Sequence, residues 1–266
     1  RLTPYPDAGW NAWRNRLATK LSPADHFVCV QSVLVDHHDH LWVLDPGAPA
    51  MSFVIPGAPK LVEMDLATEN PGQVLAARVE QLGLHVTSVI NNAGFATFGP
   101  FHQADPARLR KEIAVDVTAV ADISRAFIEP LRTAGRGVLV NVASMAAYQP
   151  NPRMAVYGAT KAFVLSLTEA LWEESRGSGL RVLALSPGAT RTEFFDVVGT
   201  TQAAGGSRLA SPADVVRTAL AALDRRNPPP SVIAGRLNRT MAFLARRLAS
   251  LRQVIRVIGR LTAEGA

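Results

Sequence analysis

Val140-Asn141-Val142-Ala143-Ser144, followed after an intervening loop by Tyr157-Gly158-Ala159-Thr160-Lys161, decides how this chain is read. The first run is β-branched, ends on a hydroxyl and reads as a buried strand. In the second, Tyr157 and Lys161 are four residues apart, which on a helix places both side chains on one face. An ammonium so close favours phenolate and draws a phenol's pKa from about 10 toward neutrality. Tyr157 is therefore a candidate general acid/base. Ser144, folded back over that helix by the loop between, is a candidate hydroxyl donor to a carbonyl oxygen. A Tyr-x-x-x-Lys pair alone also marks many exposed helix faces, so its neighbourhood has to decide.

Working outward, strands alternate with long helices from about Pro71 onward, the pattern of βαβ units and a parallel sheet. The spacing predicts a helix over 73–82, then a short buried strand Val86-Thr87-Ser88-Val89-Ile90 that ends in Asn91-Asn92-Ala93-Gly94. A turn of amides and small residues at the carboxyl end of a strand lies where open α/β sheets bind ligands. Asp105-Pro106 opens a helix running to about Thr133, with aspartate as N-cap and proline in the first turn. A strand 137–143 leads to Ser144, a helix runs from Tyr157 to about Arg176, and a strand 180–185 ends at Ser186-Pro187-Gly188-Ala189-Thr190-Arg191-Thr192. Ser211-Pro212-Ala213-Asp214 caps a helix reaching Arg226. A short strand over 230–235 precedes a basic amphipathic helix over 236–261.

Upstream, Phe27–Asp36 and Leu41–Asp45 are two β-rich runs separated by His37-His38-Asp39-His40, which reads as a hairpin. The histidine cluster raises a metal site as one reading, but neighbours at a hairpin tip point in different directions and no fourth ligand is in view; a solvated turn is the other. No metal ligand is assigned. Residues 1–22, with Trp10 and Trp13, fit a short polar helix without assignable chemistry. The run Val33–Gly47, with Pro59–Thr68, resembles part of a blade and a half of the yellow/major royal jelly propeller family. Such a piece cannot close a propeller, so that resemblance implies a segment, 1–69, that packs on something else.

Composition narrows the function classes. Of the 266 residues 48% are hydrophobic and 19% charged, enough for a sizeable core and unlike a disordered chain. The single cysteine, Cys29, rules out an internal disulfide and fits a reducing compartment, so a cytoplasmic location is expected. The chain opens at Arg1, which reads as a fragment or a trimmed chain, without a signal pattern or a long apolar span. The net charge of +6 is concentrated at one end: seven arginines and no acid fall between Arg236 and Arg260. Only one aromatic, Phe243, falls among those arginines, too few for base stacking, which argues against nucleic acid.

Asn-Asn-Ala-Gly (91–94), Ser144, Tyr-Gly-Ala-Thr-Lys (157–161) and Pro-Gly-Ala-Thr-Arg-Thr (187–192) occur in the order and at the separations of the classical short-chain dehydrogenase/reductase family, which residues 70–266 resemble. The resemblance implies a Rossmann-like, doubly wound α/β sheet and hydride transfer between NAD(P)(H) and a small-molecule carbonyl or alcohol. In that scheme Tyr157 moves the proton, Lys161 lowers its pKa and holds the nicotinamide ribose, and Ser144 orients the substrate oxygen. Asn92, Ala93 and Gly94 shape the adenosine side of the cleft, and Pro187, Gly188, Thr190 and Thr192 line the nicotinamide and its phosphate.

Two departures stand out. Where the family has a helix asparagine that supports a relay water, this chain has Asp116, an acceptor that adds negative charge beside Lys161, or else a plain helix aspartate. The family's opening strand, glycine-rich turn and helix, which bind the pyrophosphate, have no counterpart before Asn91. Asp65 is either the family's adenine-contacting aspartate or a residue of the propeller-like segment. The sheet is thus expected to lack its first βαβ unit, with its central strand and phosphate site. Two function classes follow: an NAD(P)-dependent oxidoreductase, and a non-catalytic remnant or interaction protein on the same scaffold. Substrate selection falls to the loop 194–207.

The tail adds a further expectation. Leu237, Met241, Leu244, Leu248, Leu251, Ile255 and Ile258 form one apolar stripe flanked by Arg239, Arg246, Arg247, Arg252, Arg256 and Arg260. It suits packing on its own domain or in a homo-oligomer, or peripheral contact with anionic lipid.

Overall fold

A computed structural model describes residues 32–36, 41–44, 66–81, 83, 85–135, 137–192, 194–248 and 250–263. Four parallel strands form its centre: β3 (Val86–Asn91), β4 (Val138–Val142), β5 (Arg181–Ser186) and β6 (Ser231–Ile233), hydrogen-bonded in that order. Parallel strands joined by helical crossovers are covered on both faces, and so read as continuous β-branched runs. Leu139 and Val182 accordingly face one layer and Val140 and Leu183 the other, all nearly fully buried. The first layer holds α1 (Pro71–Gln81), α3 (Val120–Thr133) and α4 (Ala155–Glu174), whose Leu75, Ile123, Phe127, Leu131 and Val164 pack there. The second is closed by α6 (Pro212–Leu223) through Val215, Ala219 and Leu223. Gly72 lets α1 and α3 cross closely, since a Cβ there would lie 2.2 Å from the Asp122 carbonyl oxygen.

The helix expected from Pro106 to Thr133 is made of three pieces. Asp105 caps α2 (Pro106–Ile113), accepting from the amides of Ala107 and Arg108 at 2.9 and 3.3 Å. A single π-helical turn, Ala114–Ala119, then widens the helix before α3 begins. Such turns cluster at functional sites because the wider ring re-aims a side chain; this one carries Asp116. The helix predicted to reach Arg226 stops at Leu223. The tail predicted as one helix is two, α7 (Arg236–Leu248) and α8 (Leu251–Leu261). Ser250 and Gln253 start the second with a reciprocal capping box, which satisfies two amides that a fresh helix end leaves orphaned.

The largest correction concerns the edge beyond β3. The sheet does not stop where the family's first strands are missing. β1 (Ser32–Asp36) lies against β3 and β2 (Leu41–Leu44) against β1, both antiparallel, giving the order β2-β1-β3-β4-β5-β6. An unpaired β3 would leave a row of backbone donors and acceptors without partners, and the β-rich segment supplies them. Residues 27–31 and Asp45, also expected in these strands, lie outside the described residues. The tip with His37, His38 and His40, the helix expected within 1–22, and Asp65 lie outside the described residues.

Candidate active site

The carboxyl ends of β3, β4 and β5 deliver three turns to one place. β4 leads through Ala143 to Ser144, which caps a short 3-10 turn (Met145–Tyr148) by accepting from the Ala146 amide at 3.1 Å. β5 ends in Pro187, whose carbonyl accepts from the Met145 amide at 2.8 Å, tying that turn to Ser144's. α4 then brings up Tyr157 and Lys161, 9% and 3% exposed. Asn151 braces its first turn: the Asn151 amide donates to the carbonyls of Ala146 and Gln149 at 2.8 and 2.6 Å, and a Cβ on Gly158 would collide with it at 2.4 Å.

Ser144, Tyr157, Lys161 and Asp116 meet as the sequence leads one to expect. The Ser144 hydroxyl lies close enough to the Tyr157 phenol to pull its pKa down, and the Lys161 Nζ stands 5.6 Å from the centre of the Tyr157 ring. Lys161 also donates to the Val142 carbonyl at 3.2 Å and pairs with Asp116 Oδ2 at 3.5 Å. Asp116, wholly buried, accepts from the Phe95 amide at 3.1 Å and the Thr160 hydroxyl at 3.3 Å. The plain-helix reading of Asp116 is thereby replaced by an ion pair. Gly94 passes directly over that pair: a Cβ there would lie 2.8 Å from Lys161 Nζ and 3.1 Å from Asp116 Oδ1.

The expected fall in the Tyr157 pKa does not occur. Burial pushes the phenol up, the lysine charge pulls it down, and the Asp116 carboxylate adds to the rise. Lys161 cannot act on the phenol alone because Asp116 takes a share of its field. Burial acts against the Lys161 charge too, yet Asp116 and Tyr157 more than offset it and hold the ammonium's pKa high. The arrangement is a neutral phenol beside a retained cation.

The remaining predicted positions are less tightly grouped. Ala93 is buried, whereas Asn92 is exposed at the edge of its turn. The hydroxyl of Thr190 donates to the Gly188 carbonyl at 2.9 Å, and Thr192, exposed, accepts from the Phe194 amide at 3.3 Å. Phe194 begins α5 (Phe194–Val198) and sets its ring 5.5 Å from that of Tyr157. With Ala96, Phe98, Met154 and Val198 it makes the surroundings of the phenol apolar.

Three features escape the motif reading. Glu112, fully buried one turn before Asp116, accepts from the Thr97 amide at 2.9 Å and leaves Oε1 without a partner. Burial, opposed by hydrogen bonding from Thr97, raises its carboxyl to about 7. The available signal was its place four residues before Asp116 on one helix face. Asn91 is a clasp more than a cleft residue, donating to Asn141 Oδ1 at 2.8 Å, while Asn141 donates to the Thr168 hydroxyl at 3.0 Å. Asn238 of α7 sits against Gly188, where a Cβ would come within 2.4 Å of its amide nitrogen.

The comparisons agree with this geometry. The short chain dehydrogenase pattern matches residues 57–203. It therefore takes in all of Pro59–Thr68, and the propeller resemblance finds no support among the proteins compared. An uncharacterized oxidoreductase of Thermotoga maritima is 34% identical over 121 residues, 46% of this chain and 48% of that protein. The Xanthobacter autotrophicus protein named inactive 2-(S)-hydroxypropyl-CoM dehydrogenase 2 is 37% identical over 103 residues, 39% of this chain and 45% of that one. The chain thus spans about half or less of the length of these relatives. Among solved structures, a short chain dehydrogenase from Burkholderia cenocepacia in complex with NADP superposes with a TM-score of 0.65 at 26% identity, covering 84% of this chain and 86% of that one. With more than half of its residues matched, and with the parallel sheet and its three converging turns in place, the chain belongs to the short chain dehydrogenase family.

Proposed function

We propose that this protein is an NAD(P)(H)-dependent oxidoreductase that works on a carbonyl or alcohol group, with Tyr157 as the proton donor and acceptor. The observation that carries the reading is the buried Tyr157 phenol and Lys161 ammonium with the half-buried Ser144 hydroxyl beside them, and Asp116 fixing the lysine. Burial keeps the phenol protonated, so at neutral pH the site is charged for reduction: Tyr157 Oη gives its proton to the substrate oxygen while Ser144 holds that oxygen. The phenolate left behind is stabilised by the Lys161 ammonium. The nicotinamide, when bound, supplies or accepts the hydride.

The residues present suit one half of that cofactor. Lys161 and the Pro187–Thr192 turn would hold the nicotinamide end, and Gly94 leaves room over Lys161. Among the described residues the pyrophosphate end has no such cradle at β1. Its register pairs Ser32 with Asn91, so the chain enters β1 at the very end where the family's first strand would turn into a glycine-rich loop and helix. This observation supports the second reading, a scaffold without productive turnover. Titrating NADH and NADPH by fluorescence decides between the two: no binding of either at millimolar concentration sinks hydride transfer, and saturable binding with carbonyl-dependent oxidation upholds it.

A further inference from the structure

We propose that α7 and α8 dock on an anionic bilayer surface and that the site draws a lipophilic alcohol or carbonyl compound from that surface; the substrate half of this rests on the oxidoreductase reading. The apolar stripe of the tail does not pack inward along its first half. Leu237, Met241, Leu244 and Leu248, three or four residues apart in steps along α7, are 74%, 60%, 41% and 78% exposed, and Leu251 opens α8 at 62%. Among the described side chains of α7 only Ala242 is deeply buried, on another side of the helix. Own-domain packing therefore does not account for the row.

Charge selects the occupant. Seven arginines and no carboxylate lie between Arg236 and Arg260, and the ends of the set, Arg236 and Arg260, are exposed. A second copy of the chain on the same face would bring like charges together across a self-complementary interface. An anionic surface neutralises them while it takes up the leucines, the arrangement of helices that lie in a membrane interface. No helix among the described residues is long and apolar enough to cross a membrane, so the contact is peripheral.

The same helices border the site. The Thr262 hydroxyl, just after α8, donates to the Pro152 carbonyl at 3.4 Å, and Gly259 packs on the Pro152 ring. A Cβ on Gly205 would touch Leu261 at 3.9 Å. α8 thus lies between the loop that precedes Tyr157 and the end of the segment 194–206, whose Phe194 covers the phenol. Docking α8 sets that apolar entrance against lipid.

The test uses the full chain without cofactor or substrate, co-sedimented with vesicles of phosphatidylglycerol and phosphatidylcholine or of phosphatidylcholine alone. Retention is expected on the anionic vesicles, falling at high salt, and at least tenfold weaker on the neutral ones. R252Q/R256Q/R260Q is expected to weaken binding about a hundredfold, and L237S/L248S to weaken it at every salt concentration, both with an unchanged circular dichroism spectrum. No retention at low salt, equal retention on both vesicles, indifference to the arginine changes, or a light-scattering mass that doubles through this face would overturn the docking. If docking holds while long- and short-chain aldehydes are reduced alike with and without vesicles, the substrate half is wrong. Failure to reduce any carbonyl sinks the oxidoreductase reading and leaves the sedimentation result standing.

Discussion

At the carboxyl end of β3 the chain leaves the sheet through Asn92–Gly94 and runs over the ion pair of the site, whereas at the same end of the neighbouring β1 the chain is entering the strand at Ser32. Both strands complete the sheet's hydrogen bonding, but only a strand that leaves at that end can follow itself with a ligand-binding turn and a helix N-terminus. Backbone pairing is indifferent to strand direction in a way that site construction is not. The half of the site proposed to move the proton and the phosphate-holding half therefore come from separable parts of the chain: β3–β5 and α4 build the first, while the sequence lacks the glycine-rich turn that usually supplies the second.

The sharpest way to strain that comparison is Tyr157→Phe. It removes the phenolic proton and leaves the packing against Phe194; carbonyl-dependent NAD(P)H oxidation should fall roughly a hundred- to ten-thousandfold with cofactor binding retained. Loss of cofactor affinity instead would mean that the two halves are not separable.

Glu112→Gln tests the electrostatics beneath the site. In the folded protein the Glu112 carboxyl is raised from 4.5 to about 7. The stability this confers is complete below about pH 4.5 and is lost as pH rises through about 7, roughly 3 kcal/mol in all. Urea unfolding between pH 5 and pH 8 should show that loss in the parent protein and a flatter profile in the variant. Parallel profiles would mean that Glu112 ionises as it does in the unfolded chain.

Gly94→Ala probes the crossing of the two halves. Its methyl would press on Lys161 Nζ and Asp116 Oδ1, so a loss of about 1–3 kcal/mol in stability is expected, with a larger proportional loss of turnover than of stability. A variant as active as the parent would show that the ion pair has room to move. The smallest effect expected is a difference of less than about tenfold, or 1.4 kcal/mol, between the affinities of reduced nicotinamide mononucleotide and NADH. Far tighter dinucleotide binding, measured calorimetrically, would show that some other element cradles the pyrophosphate.

Much of this was legible because local rules and tertiary demands coincide. Strands β3–β5 are recognisable as β-branched runs since burial on both faces leaves no polar alternation to obscure them, and Asp105 and Ser211 mark helix starts because their side chains satisfy orphan amides. The four-residue step from Tyr157 to Lys161 fixed their common face before any fold was known. The π turn at Asp116 was not legible: the sequence Ala114–Ala119 continues a helical pattern, and only the pull of Lys161, Thr160 and the Phe95 amide on one carboxylate accompanies the wider ring. The sign of the Tyr157 shift was missed for a related reason, since sequence spacing reports which charge is near but not how deeply the phenol is buried or with whom the charge is shared.

The order of residues by itself determined the family, the parallel strands, which residues are proposed to move the proton and the absence of a glycine-rich turn, because each depends on residue type at short separation. Tertiary structure decided that an antiparallel segment occupies the slot beside β3, that the tail breaks at Ser250 and shows its leucines outward, and that Asp116 pairs with the lysine rather than facing solvent. Those outcomes depend on which unsatisfied edge, apolar row or charge finds a partner across the fold, and no local pattern encodes a partner that lies a hundred residues away.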